Sequence, residues 1–105
     1  MKKICFLIPS LGGGGAERVA FHLLNNLSLD KFELSVIIIY KNKGDYLKDL
    51  RREVKRIFLE KDKIRYSIPS LCKVLKEEKP DIVINFSFDL MMLIGTFVIL
   101  SLIHI

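Results

Sequence analysis

Residues 3–18 read KICFLIPSLGGGGAER, and the change of period inside this stretch decides the fold. Lys3 to Pro9 is a short, almost continuous apolar run bounded by Pro and Gly, the pattern of a strand covered on both faces. From Ala16 the apolar residues fall at helical spacing: Ala16, Val19, Ala20, Leu23, Leu24 and Leu27 take one side, and Glu17, Arg18, His22, Asn25 and Asn26 the other. A buried strand, a turn of four adjacent glycines and an amphipathic helix of about three turns therefore follow one another.

Working outward, the alternation continues. Leu34 to Tyr40 is β-branched and nearly all apolar, a second central strand. Gly44 and Asp45 punctuate the chain, and Asp45 is placed to N-cap a short basic helix with Leu47, Leu50 and Val54 inside. Arg56 to Glu60 reads as a weaker third strand. Ser67 and Pro69 open a helix with Ile68, Leu71, Cys72 and Leu75 inside, and Lys79-Pro80 ends it, because Pro disfavours a helical residue before it. Asp81 to Phe86 is a fourth strand. Strand and helix alternating over short joins predict an α/β, Rossmann-like parallel sheet with flanking helices, in the order 3-2-1-4. Ligands of such sheets bind beyond the carboxyl ends of the strands, here just after Pro9, Tyr40, Glu60 and Phe86.

At 105 residues the chain is one domain or a piece of one, and with half its residues apolar and 28% charged it is not a disordered or low-complexity sequence. The net charge of +5 is local: between Lys41 and Arg65 there are ten basic residues against five acids, and the remainder is balanced. That segment is a solvated face between strands, or a contact for an acidic membrane surface or anionic ligand; the confinement of the charge argues against a general nucleic-acid binder. Cys5 and Cys72 lie in apolar runs with no metal-site or C-x-x-C spacing, and read as reduced core thiols. Lys2 and Lys3 precede an apolar stretch that stops at Pro9 after five residues, where a signal core needs about 7 to 15, so a cytoplasmic start is expected. Leu90 to Ile103 is uncharged over 14 residues, short of the roughly 20 that span a bilayer as a helix, and suggests a buried helix followed by a strand. Leu100 to Ile105, LSLIHI, is what one frame of a sequencing-library adapter end would encode; residues 100–105 are expected to be scar and residues 1–99 the front of a longer protein.

The sharp motif is the glycine turn. Gly12, Gly13, Gly14 and Gly15 remove every Cβ, so backbone N–H groups at the positive end of a helix can converge on an anion such as phosphate; a merely flexible turn is the bland alternative. A dinucleotide fingerprint is disfavoured because the last position of G-x-G-x-x-G falls on Glu17 or Arg18, and Tyr40 and Lys41 replace the acid expected after the second strand. A P-loop is disfavoured because Ala16, Glu17 and Arg18 follow the glycines where Lys and Ser or Thr are needed. His22 lies on the polar helix face and His104 in the suspected scar, and no carboxylate pair, nucleophile constellation or metal cluster is recognisable.

Residues 3–20, KICFLIPSLGGGGAERVA, resemble the amino terminus of family 4 glycosyltransferases, retaining enzymes of the GT-B architecture with two facing Rossmann-like domains; Lys79 to Val83, KPDIV, is similar to that family's entry to the fourth strand. The resemblance covers residues 2–99. It implies an incomplete acceptor-side domain, whose missing C-terminal domain would recognise the nucleotide sugar, and a hexosyltransferase activity in glycan or cell-envelope polysaccharide synthesis, absent from this fragment alone. The implied substrates are a nucleotide-diphosphate sugar and a glycan or lipid-linked acceptor, with no cofactor, metal or nucleic acid, in the cytoplasm or peripherally on the inner face of the membrane. Gly13, Gly14 and Gly15 would offer N–H groups to the donor phosphate. Glu17 and Arg18 either contact ligand or serve the first helical turn. Where many members carry a His after the fourth strand, this sequence has Asn85, Ser87 and Asp89, which either substitute for it or form a strand-end turn and helix cap. A different class of function also fits the composition: a small membrane-surface or anion-binding module using residues 41–65 and the apolar tail.

Overall fold

The computed structural model describes residues 1–11, 15–41, 44–62 and 68–86. Its elements are β1 (Lys2–Ile8), α1 (Gly15–Asn26), β2 (Phe32–Tyr40), a 3-10 helix (Asp45–Asp49), β3 (Lys55–Lys61), α2 (Ile68–Glu78) and β4 (Ile82–Asn85). The four strands form one sheet in the order β3-β2-β1-β4. Every pairing is parallel, with Ile4 level with Leu34 on one side and Ile82 on the other. This is the α/β, Rossmann-like arrangement expected from the alternation of periods.

The central strands are apolar throughout because both of their faces are covered. Ile4, Phe6 and Ile8 of β1 join Leu34, Val36 and Ile38 of β2 beneath Ala20 and Leu24 of α1. Cys5, Leu7, Ile37 and Ile39 point the other way, onto Leu71 and Leu75 of α2. Period-two alternation thus divides one sheet between two cores. Leu11, fully buried just after β1, closes the α1-side core at the foot of the glycine turn.

Three local expectations need correction. Helix α1 does not bury the whole expected stripe: Val19 is 52% and Leu23 37% exposed. Phe21 packs inward instead, its ring stacked on Tyr46 of the 3-10 segment at 4.8 Å and 16°. The basic helix after β2 is only the five-residue 3-10 helix, and its N-cap position belongs to Gly44 at φ 89°, with no side-chain cap hydrogen bond; Asp45 is its first residue. Leu50 and Val54 still reach the α1-side core, but from the turns that follow.

Helix α2 ends as Lys79-Pro80 suggests. Lys79 adopts φ 47°, and its N–H donates to the Leu75 carbonyl at 3.0 Å. Pro80, having no N–H, rules out the second bond of a Schellman cap, so the single-bond left-handed cap is what remains. Asp81 then bonds β1 twice: its carboxylate accepts the Lys3 N–H at 2.8 Å, and its N–H donates to the Lys3 carbonyl at 2.9 Å. The KPDIV stretch is thereby explained as a helix stop and strand start at the amino end of the sheet, remote from the ligand end.

Candidate functional site

At the carboxyl end of the sheet, β1 runs out at Ile8 and the chain turns toward α1. The Tyr40 N–H donates to the Pro9 carbonyl at 2.9 Å, continuing the β1–β2 ladder one step past the strand. The Tyr46 N–H donates to the Leu11 carbonyl at 3.0 Å, and the Phe86 N–H to the Leu7 carbonyl at 2.8 Å. Three segments that leave neighbouring strands therefore meet around the base of the glycine turn, where open α/β sheets bind ligands.

Of the expected site residues, Gly15, Glu17 and Arg18 form the first turn of α1. A Cβ built on Gly15 meets nothing within 4 Å, so no neighbouring atom requires a glycine there. Glu17 is half-buried in the first turn, where a carboxylate suits the helix dipole. Arg18 is exposed, and its Nε donates to the Tyr46 hydroxyl at 3.3 Å. Asn85 is half-buried at the end of β4, level with Leu7 of β1, so the sheet places it one strand from the turn. Gly12, Gly13, Gly14, Ser87 and Asp89 lie outside the described residues, as do residues 90–105 with the apolar tail and His104. His22 is exposed, as its place on the polar face predicts.

Tyr46 is a residue that the sequence does not single out. Its backbone N–H holds the Leu11 carbonyl, its ring holds Phe21 and its hydroxyl receives Arg18, so one residue ties the segment after β1 to the first two turns of α1. An aromatic in a basic segment was the available signal, but its partners lie far away in sequence.

Arg51, Lys55 and Arg56 of the basic segment serve the fold itself. Arg51 donates from Nε to the Leu24 carbonyl at 2.7 Å and from Nη2 to the Leu27 carbonyl at 2.5 Å. Helix α1 has no basic residue in its last turn, and Arg51 supplies from outside the positive charge and donors that its terminal carbonyls need. Arg56 donates to the Val54 and Leu50 carbonyls. Lys55 meets the Glu78 carboxylate at 2.9 Å, and Lys3 reaches it at 3.6 Å. Partial burial of Glu78 works against its charge, but the hydrogen bond from Lys55 and the charges of Lys3 and Lys55 outweigh that and hold its pKa below the ordinary value. Lys48 and Arg52 remain exposed and Lys61 half-exposed; Lys43, Lys63 and Arg65 lie outside the described residues.

Tyr40, Lys41, Lys61 and Asp62 line a cleft of about 350 Å³ over the carboxyl ends of β2 and β3. Among the described residues, no group of three or more His, Cys, Asp or Glu is placed to hold a metal ion. Nor is any described helix long and apolar enough to cross a membrane.

A parallel sheet in the order 3-2-1-4, with four consecutive glycines after its strand β1, the last of them the first residue of α1, defines a Rossmann-like α/β unit of the kind that binds ligands at one edge. Over 96 aligned residues, 82% of this chain, it is 38% identical to GalNAc-alpha-(1->4)-GalNAc-alpha-(1->3)-diNAcBac-PP-undecaprenol alpha-1,4-N-acetyl-D-galactosaminyltransferase of Campylobacter jejuni. The chain is thus a relative of a glycosyltransferase, and it spans 26% of that relative's length. No protein-family model matches the chain, and no solved structure matches it.

Proposed function

We propose that the chain is the acceptor-side, Rossmann-like part of a retaining, GT-B, family 4 glycosyltransferase. In this reading the whole protein moves a hexose-type sugar from a nucleotide-diphosphate donor to a lipid-linked glycan on the cytoplasmic face of a membrane. The observation that carries the proposal is the 38% identity to a transferase whose named acceptor is a diphosphate-linked polyprenol glycan. The position of the glycine turn supports it: a helix N-terminus preceded by residues without Cβ atoms suits a donor phosphate. Gly12 to Gly15 would carry that contact, with Arg18 adding positive charge and Glu17, Asn85, Ser87 and Asp89 as polar contacts to donor or acceptor. No metal or other cofactor is assigned. Since the chain spans about a quarter of its relative, turnover is assigned to a longer protein, and these 105 residues alone are expected to be inactive.

The test is transfer of a labelled sugar from a panel of nucleotide-diphosphate donors to an undecaprenyl-diphosphate-linked glycan, using the protein together with its donor-binding domain. Gly15→Val places a branched side chain in open space at the helix start, so it should leave folding intact and lower both nucleoside-diphosphate affinity and transfer. Absence of transfer with every donor in the panel would refute the assignment.

A further inference from the structure

Arg18 is placed against the preference of its own helix. The amino end of α1 is the positive end of the helix dipole, which Glu17 suits, yet Arg18 adds a cation to that first turn, while the last turn has no basic residue at all. A side chain that opposes a local rule calls for a gain elsewhere, and such exceptions collect at functional sites. Arg18 is exposed, so packing does not supply the gain.

The partner that Arg18 does have is Tyr46, whose hydroxyl accepts from Nε at 3.3 Å. Tyr46 is itself held at two further points: its backbone N–H donates to the Leu11 carbonyl at 3.0 Å, and its ring stacks on Phe21 at 4.8 Å. Leu11 belongs to the α1-side core and Phe21 packs against it, so the hydroxyl stands at a place fixed by packed groups. A phenylalanine would make the same stack and the same backbone bond. The hydroxyl adds one exposed hydrogen bond, whose contribution to stability is small because water competes for both partners.

What the hydroxyl does is orient a guanidinium. That group is planar with five N–H donors, and only the one on Nε goes to Tyr46. Among the described residues the donors on the two terminal nitrogens have no partner. They form the edge of the fork that grips phosphate oxygens two at a time. An arginine that swings freely loses that freedom when an anion binds, whereas one already held loses less and binds more tightly by the difference.

We infer that Tyr46 is a positioning residue for the donor's phosphates: its hydroxyl orients the Arg18 guanidinium, and Arg18 makes the contact. The inference rests on the glycosyltransferase reading for the identity of the anion, and on the three contacts of Tyr46 for the geometry.

A double-mutant cycle tests it, read by calorimetry with uridine, guanosine, adenosine, cytidine and thymidine diphosphates in the protein that carries its donor-binding domain. Arg18→Met keeps the apolar stem and removes the donors, so the nucleoside diphosphate that binds should weaken by about tenfold or more. Tyr46→Phe should weaken it by about threefold to tenfold, with the urea midpoint unchanged. In the Arg18→Met background the same Tyr46→Phe change should have an effect below about twofold, because no guanidinium is left to orient. A merely structural role would give the same loss in both backgrounds, and that result overturns the assignment. Unchanged affinity in Tyr46→Phe alone overturns it too, as does unchanged affinity in Arg18→Met or a parent that binds none of the five. If the positioning role fails in any of these ways while sugar transfer persists, the glycosyltransferase reading stands; if no donor supports transfer, that reading fails by itself.

Discussion

Arg51 shows how much a single side chain decides here. The sequence places it in a basic run that invites an anionic partner, yet its guanidinium closes the carboxyl end of α1 through the Leu24 and Leu27 carbonyls. Its N–H also donates to Asn25 Oδ1 at 2.9 Å, and Asn25 Nδ2 donates in turn to the Asp49 carbonyl. Arg51→Met keeps the apolar stem and removes the donors, so a loss of about 1 to 2 kcal/mol is expected, read as a lower urea midpoint with unchanged slope. An unchanged midpoint would mean that water serves those carbonyls equally well. The cysteines give a second expectation at this scale. Cys5 is fully buried, and burial pushes its thiol pKa up against the smaller, opposing effect of the Ser35 hydroxyl, whereas Cys72 on α2 is half-buried. A thiol reagent at neutral pH should label Cys72 in the native protein and reach Cys5 only on unfolding. Equal labelling of both would contradict the packing of β1.

Among the elements, α2 supplies the cleanest test because its stop is made by a residue with the wrong propensity. Lys79 sits at φ 47° in a position that usually takes glycine, held there by the bond to Leu75 and by Pro80 after it. Lys79→Gly should therefore stabilise the fold, by about 1 kcal/mol or less once the added freedom of the unfolded chain is counted. A thermal midpoint that falls would show that the lysine makes a compensating contact. The strands and their order were legible in the sequence because a two-sided sheet demands unbroken apolar runs, and KICFLIP and LSVIIIY admit no other placement. Less was legible where distant partners decide. The face that α1 buries depends on Phe21 stacking on Tyr46, and the shortness of the basic helix on Leu50, which is already extended. The register shift that sets Ile38 level with Phe58 but Tyr40 level with Lys61 has no period of its own to be read from sequence. In the candidate site, the glycine turn announced itself by composition, and Gly15, Glu17 and Arg18 do stand at the head of α1. Tyr46 and the pairing of Tyr40 with Lys61 did not, since register across a sheet is a property of two strands together.

The described part of the molecule is polarised, with the candidate site at the carboxyl ends of the strands and an ionic clamp at the other end. Lys3, the second residue of β1, and Lys55, the first of β3, both meet Glu78 at the end of α2, whose side chain is only 12% exposed. The clamp joins three elements and so contributes to global stability, and the directions of its pKa shifts fix when it acts. Glu78 titrates below its ordinary 4.5, so its contribution is complete above that value and disappears as pH falls through the lower folded pKa. Lys55 is raised above 10.5, chiefly by its hydrogen bond to Glu78; its contribution is present below that value and is lost as pH rises through the folded pKa. Glu78→Gln should therefore lower the urea midpoint relative to the parent at pH 7, and the two proteins should converge as pH falls through the parent's lowered carboxyl pKa, where its carboxylate is itself neutralised. A gap that persists unchanged into acid would show that shape and hydrogen bonding, rather than charge, hold the three elements together. The same substitution lies at the opposite end of the strands from Gly15 and leaves every contact around it intact, so the nucleoside-diphosphate affinity proposed for the glycine loop should not move with stability. Joint loss of both under conditions where the variant is fully folded would mean that the two ends of the sheet are mechanically coupled, and the division between a stabilising edge and a binding edge would not hold.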